Sequence, residues 1–284
     1  MAEIKLENIS YVYSEGTPFE ISALNNINAV IKSGIVTGII GHTGSGKSTL
    51  VQMLNGLIKP LSGKILIDGE DIWEKPKEIG NVRFRVGLVM QYPEYQLFEE
   101  SIRADIAFGP KNMGLSEKEI NERVLEAADF VGIPHDMLEK SPFDLSGGQK
   151  RRAAIAGIIA MRPEILVLDE PAAGLDPSGR EMIMQSIMNY KKRTGATIVI
   201  VSHSMEDMAR YCDELIVLAG GKLLMSGTKK EVFGRSEEIC AVGLDIPQIT
   251  TMMKLISDKG IKVNTAVYTV DDALEELYRL LNNN

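Results

Sequence analysis

Long apolar runs are missing from this chain, and cysteine is scarce. The longest apolar stretches, such as Ile165–Leu168 and Ile198–Val201, fall far short of the roughly 18 residues that a membrane span needs. The start, Met1-Ala2-Glu3-Ile4-Lys5-Leu6, has neither the basic region nor the apolar stretch of a signal peptide. The two cysteines, Cys212 and Cys240, are too few for a disulfide framework and suit a reducing cytoplasm. Both are expected to be plain core or surface residues. Basic residues are also short: 31 Lys and Arg stand against 39 Asp and Glu, a net charge of −8. That balance argues against nucleic acid as a partner, because phosphate binding usually needs a basic patch. The densest basic cluster, Lys150-Arg151-Arg152, reads as the solvated start of a helix.

What is present is ordinary globular composition, 44% hydrophobic and 25% charged over 284 residues. That length allows one large domain or a core with an appendage. Ile4–Ile9 alternates apolar and polar residues, and Ala29–Ile31 resumes the pattern before a turn at Lys32-Ser33-Gly34. Ile35–Ile40 is a short β-rich run, as expected of a buried strand, and it leads straight into Gly41. From Ser48 to Leu57 the residues suit a helix with Leu50, Val51, Leu54 and Leu57 on one face.

Between about 92 and 161 the character turns helical. There Ser116-Glu117-Lys118-Glu119 forms a capping box ahead of Ile120, Val124, Ala127 and Val131. Strands return at Ile165–Leu168 and Thr197–Val201. Such alternation predicts an α/β fold with a mainly parallel sheet covered on both faces. After Gly234 the pattern changes again, with helices expected over Ile249–Ile256 and Val270–Leu281. The second carries an apolar stripe of Val270, Ala273, Leu274, Leu277 and Leu281. Helices this short need something to pack on, either the parent domain or a partner. The terminal Asn282-Asn283-Asn284 is expected to fray.

Three motifs carry chemistry. Gly41-His42-Thr43-Gly44-Ser45-Gly46-Lys47-Ser48 fits G-x-x-x-x-G-K-[ST], with a strand before it and a helix after it. Small residues let backbone N–H groups curl around phosphate oxygens, and the helix N-terminus adds a favourable field. Lys47 is placed to reach the β- and γ-phosphates of a nucleotide, and Ser48 to bind Mg²⁺. Ile165–Leu168 ends in Asp169-Glu170, and in a parallel sheet such acids face the phosphate loop. Asp169 is suited to hold Mg²⁺ through water, and Glu170 to polarise the attacking water as a general base. The third motif, Leu145-Ser146-Gly147-Gly148-Gln149, places two glycines where a helix begins, another phosphate-facing backbone loop.

With that pentapeptide the chain resembles the nucleotide-binding domains of ABC transporters, whose signature is LSGGQ. The resemblance runs over roughly residues 3–228. It implies an ATP-hydrolysing P-loop fold with an N-terminal antiparallel part and an inserted helical subdomain, over residues 1–233, followed by a C-terminal appendage, 234–284. It implies that two such chains sandwich two ATP molecules, each signature (Leu145, Ser146, Gly147, Gly148, Gln149) closing over the nucleotide on the opposite subunit. The nucleotide would lie on Gly41, His42, Thr43, Gly44, Ser45, Gly46, Lys47, Ser48 and Thr49. Gln91 matches the glutamine that contacts Mg²⁺ and water, and His203 the switch histidine of the γ-phosphate. Ala173-Gly174-Leu175-Asp176 matches the D-loop, which couples the two sites. Tyr13 aligns with the aromatic residue that stacks on adenine, with Tyr11 a nearby competitor.

The run from Gln91 to Glu100, followed by Asp105–Pro110, is similar to the ATPases of energy-coupling factor (ECF) transporters. So are Gln149–Gly157 and Leu244-Asp245-Ile246-Pro247-Gln248. The form Pro93-Glu94-Tyr95-Gln96-Leu97-Phe98 resembles the second ATPase type of heterodimeric modules. This implies a related or identical second ATPase, a transmembrane scaffold, and a membrane substrate-binding subunit serving B vitamins, their precursors, or cobalt and nickel ions. The chain would then be peripheral on the cytoplasmic membrane face. The Tyr92–Phe98 surface would receive helices of the scaffold, although its aromatic residues would also serve to pack the loop. Other ABC roles remain open: the ATPase of a binding-protein-dependent importer, or a non-transport ATPase of repair or translation. Against the last, only Thr49–Asp144 separates phosphate loop and signature, with no room for a long coiled coil, and the motif set occurs once.

Overall fold

The computed structural model describes residues 2–282. The chain opens with strands β1 (Ile4–Tyr13) and β2 (Ile21–Ile31), paired antiparallel with Ile4 opposite Ile31. Next come β3 (Val36–Ile40), α1 (Lys47–Leu54), β4 (Ser62–Ile67) and the short β5 (Glu70–Asp71). Helix α2 (Ile79–Arg85) and strand β6 (Val86–Val89) precede three helices, α3 (Ile102–Asn112), α4 (Glu117–Val131) and α5 (Gly147–Ile159). The core then closes with β7 (Ile165–Asp169), α6 (Pro177–Thr194), β8 (Thr197–Val201), α7 (Met205–Tyr211), β9 (Glu214–Ala219) and β10 (Lys222–Thr228). Helices α8 (Lys229–Gly234), α9 (Ser236–Ala241), α10 (Gln248–Asp258) and α11 (Val270–Asn282) follow. Asn283 and Asn284, on which the expected fraying mostly falls, lie outside the described residues; Asn282 closes α11.

β2, β1, β4 and β5 make an antiparallel sheet. The second sheet has the order β10-β9-β3-β8-β7-β6, and all its pairings are parallel except β9 with β10. The fold is thus the expected α/β class with a mainly parallel core. The period of two along the strands decides which side each residue faces. Ile40, Leu166, Leu168, Ile198 and Ile200 join the apolar core with α3–α6. Their neighbours Ile39, Ile165, Val167, Val199 and Val201 join a second core with α1 and the antiparallel sheet. Strands buried on both faces need no polar alternation, which is why they read as uninterrupted β-branched runs.

Local signals set most helix ends. Ser116 and Glu119 exchange side-chain and backbone hydrogen bonds at the start of α4, the predicted capping box. Helix α1 stops earlier than expected. Gly56, at φ +70°, lets its own N–H bond Met53 O and the Leu57 N–H bond Gln52 O, a Schellman closure. Leu50, Val51 and Leu54 are buried as predicted, whereas Leu57 falls past the end and is exposed. The stripe on α11 is only partly covered. Ala273 is buried with Met253 and Val267, and Leu277 packs beside them, but Val270, Leu274 and Leu281 face outward. The segment is nonetheless tied to the core through Tyr268, whose ring lies 5.5 Å from that of Phe233. Cys212 is buried and Cys240 exposed, as expected.

The capping box is a local device remote from the strand ends. Ser116→Ala should therefore lower unfolding free energy by about 1 kcal/mol, read by denaturant titration, while ATP hydrolysis stays at the wild-type rate. An unchanged midpoint would show that the cap adds nothing here.

Candidate functional site

Parallel pairing delivers β3, β6, β7 and β8 to one edge, and the loops beyond them carry the candidate residues. After Ile40 the chain turns through Gly41–Gly46 before α1 starts at Lys47. Gly44 and Gly46 have φ of +78° and +99°, values that disfavour residues with a Cβ. At Gly41 a Cβ would stand 2.4 Å from both Leu218 O and Ser45 Oγ, so the loop closes only around glycine. Ser45 Oγ is buried without a hydrogen-bond partner. Lys47, also buried, turns its ammonium back onto the loop, donating to Gly41 O (2.7 Å) and His42 O (3.0 Å). Burial lowers its pKa, against the raising fields of Glu170 and Asp169. His42 Nδ1 lies 2.7 Å from Thr43 O.

The two acids sit opposite. Asp169 ends β7 and is buried. Burial raises its pKa, while the Ser48 hydroxyl and the Lys47 and His203 charges oppose that rise. Glu170 follows in the left-handed region, at φ +52°, a strained backbone of the kind that collects at functional sites. Its N–H bonds Val201 O at 3.0 Å, which fastens it to β8. Burial and then the Asp169 charge push its carboxyl up to about 7. Glu170 Oε1 stands 3.2 Å from His203 Nε2 without the alignment of a hydrogen bond. The His203 ring is half exposed, and burial followed by the Lys47 charge lowers its pKa. Gln91 leaves β6 at the same edge, because Val89 pairs with Leu168, and it is exposed.

An orphaned hydroxyl, glycines with no room for a Cβ, an inward lysine and two adjoining acids suit a polyphosphate with a hydrated divalent cation. Among the described residues no group of three or more His, Cys, Asp or Glu side chains could hold a metal. A cation here would have to keep water and phosphate ligands, which is the habit of Mg²⁺.

Tyr13 sits beside this loop, its hydroxyl 3.1 Å from Thr49 Oγ1. Its ring is exposed, whereas Tyr11 packs edge-on at 4.9 Å and leans on the second core. The signature opens α5, whereas the phosphate loop opens α1. Ser146 caps α5, with Gln149 bonding back to its N–H at 2.9 Å, and Leu145 is buried beneath. Gly147 and Gly148 form the first turn of α5 itself rather than a loop before it. A Cβ at either would meet nothing within 4 Å, so this chain's own packing does not demand glycine there. Ser146–Gln149 line an open cleft of about 590 Å³ together with Tyr92, Ala173–Asp176 and Met182. Asp176 caps α6 by accepting from Gly179 N at 2.7 Å.

The basic cluster corrects the sequence reading. Arg151 is not a solvated helix start: it is 2% exposed and forms a two-pronged ion pair with Glu94. Arg151, Ile155 and Ile159 share the buried face of α5, a spacing of four that was readable in the sequence. Nothing in the sequence paired it with Glu94. A second missed link joins Arg180 to Asp207 at 2.6 Å beside His203.

Comparisons with known proteins show the family. A family model described as ABC transporter matches residues 24–173, and the chain belongs to that family of ATP-hydrolysing subunits. The energy-coupling factor transporter ATP-binding protein EcfA2 of Caldanaerobacter subterraneus is 52% identical over 278 residues, covering 98% of this chain and 97% of its own. EcfA2 of Clostridium perfringens is 50% identical over 282 residues, covering 99% of each. These likenesses place the chain among the ATPases of the energy-coupling factor type. Among solved structures, CbiO1 of C. perfringens, part of an ABC transporter complex cbiONQ, superimposes with a TM-score of 0.75 at 43% identity, over 88% of this chain and 98% of that one. A dimeric ATP-binding cassette in a post-hydrolysis state with ADP and Pi superimposes at 0.71 with 30% identity, over 79% and 98%.

The raised pKa of Glu170 makes its ionisation unfavourable in the fold. Relative to an unfolded value of 4.5, folded Glu170 titrates at about 7, so stability present below the lower value is lost as pH rises through the upper one. Glu170→Gln should therefore raise the unfolding free energy of the nucleotide-free protein, read by denaturant titration, increasingly from about pH 5 to about pH 8, by at most about 3 kcal/mol. A difference that stays flat with pH would count against this titration.

Proposed function

We propose that the chain is one half of a catalytic pair that hydrolyses ATP to drive an energy-coupling factor importer. The observation that carries this reading is that Ser146–Gln149 line an open cleft that no phosphate-loop residue lines, with free space beyond Gly147 and Gly148. One chain offers the phosphate cradle, and a second, related or identical, must bring its signature to it. The dimeric post-hydrolysis cassette supports such a pairing. Residues 1–233 serve as the nucleotide-binding domain, with 92–161 as its helical part. Residues 234–284, with the outward apolar residues of α11, serve as a dimer contact.

In this reading the backbone N–H groups of Gly41–Thr49 and the Lys47 ammonium hold the β- and γ-phosphates, and Tyr13 stacks on adenine. Ser48, Gln91 and, through water, Asp169 hold Mg²⁺. That ion, when bound, neutralises phosphate charge as it develops. Glu170 takes a proton from the attacking water, and its poise at about 7 matches the best range for a base at neutral pH. His203, kept neutral, steadies the γ-phosphate, and Asp176 relays the state of one site to the other. Closure on ATP and reopening after hydrolysis move the scaffold.

Among the described residues no helix is long and apolar enough to cross a membrane, and we assign the passage itself to other polypeptides. We place the chain on the cytoplasmic membrane face, beneath a transmembrane scaffold and a substrate-binding subunit for vitamins or transition-metal ions. Leu97, Phe98 and Phe108 line an apolar cleft of about 250 Å³ floored by Ala153 and Gly157. Tyr95 is 83% exposed beside it. Such a cleft suits an amphipathic scaffold helix, and Phe98, though it packs edge-on against Phe108 at 5.0 Å, keeps most of its ring exposed.

Glu170→Gln should retain ATP and the closed pair while phosphate release falls by roughly 10²–10⁴-fold; undiminished release removes Glu170 as the base. Lys47→Ala should lose roughly 1.5–3 kcal/mol of charge-assisted contact, seen as weaker ATP binding or slower turnover. Wild-type values of both would refute the lysine's role.

A further inference from the structure

From one buried position on α5, Arg151 reaches two other parts of the molecule. Its Nε donates to Glu94 Oε2 at 2.9 Å and its Nη2 to Glu94 Oε1 at 2.6 Å. Its Nη1 donates to the carbonyl of Ala173, whose own N–H bonds Glu170 O at 3.1 Å. The guanidinium also lies 5.8 Å from the ring centre of Tyr92. Tyr92 is a non-glycine residue at φ +56°, a strained conformation that persists only where its surroundings hold it. Burial would raise the Glu94 carboxyl, but Arg151 outweighs it and keeps the group ionised.

A buried ion pair is weak evidence of stability, since an apolar pair of similar volume often does as well. The requirement here is geometric. Guanidinium is a rigid planar fork that grips a carboxylate with two donors and keeps further donors for another acceptor; ammonium is a point charge. Glu94 lies in the turn beyond Gln91, Arg151 in the signature helix, and Ala173 between Glu170 and Asp176.

We propose that Arg151 is a positioning residue. It binds the Tyr92–Glu94 turn, the signature helix and the Glu170–Asp176 loop into one unit, so that displacement of the turn moves the two trans-facing loops together. This rests on the reading that the Tyr92–Phe98 surface meets the scaffold.

The test compares phosphate release from Mg-ATP by the ATPase pair alone and in the complete membrane complex, for wild type, Arg151→Lys and the double variant Glu94→Leu/Arg151→Met. Wild type should change rate on assembly. The double variant, which leaves no buried charge unpaired, should fold, co-purify with the scaffold, and lose that response by about tenfold. Arg151→Lys should fall between. A wild-type response in the double variant overturns the proposal. If the double variant fails to fold or assemble, Arg151→Lys decides: a full response from it overturns the proposal, and a reduced one with intact assembly sustains it. A wild type that ignores the scaffold overturns the underlying reading of the surface, and the proposal with it.

Discussion

Parallel pairing across β6, β7, β8 and β3 is the constraint on which the rest depends. It brings four strand ends to one edge, and the candidate groups of the phosphate site lie at or just beyond those ends. The strands can be parallel only because both of their faces are covered, by α3–α6 on one side and by α1 with the antiparallel sheet on the other. Removing either layer would expose apolar residues from the strands that aim Asp169 and Glu170.

Covering both faces also sets the electrostatics. Asp169, Glu170 and Lys47 are drawn out of water by the same packing that fixes their positions, and burial is the largest influence on each of their pKa values. The site thus stores unfavourable charge in its nucleotide-free form. A polyphosphate with its cation would satisfy Lys47 and Ser45 and offset the crowding of the two acids. Stability and chemistry are opposed here, a common condition of active sites.

The signature segment is held by capping and one buried arginine. Ser146 and Gln149 fix where α5 begins, Asp176 fixes where α6 begins, and Arg151 connects the loops between them. The phosphate loop belongs to the sheet, whereas the signature belongs to the helices.

Much of this was legible in the sequence because it is local. The glycines of the phosphate loop follow from its motif, the Ser116–Glu119 capping box from residues three apart, and the buried strands from β-branched runs. The order of the motifs likewise pointed to the family. The sequence by itself determined the phosphate loop, the adjacent acids, the signature turn and the α/β class, since each depends on residues near one another in the chain. Only the tertiary structure decided that Arg151 is buried on Glu94, that Glu170 titrates near neutrality beside His203, and that most of the α11 stripe faces outward. Those depend on which distant segments share a low-dielectric space, and neither periodicity nor spacing records that.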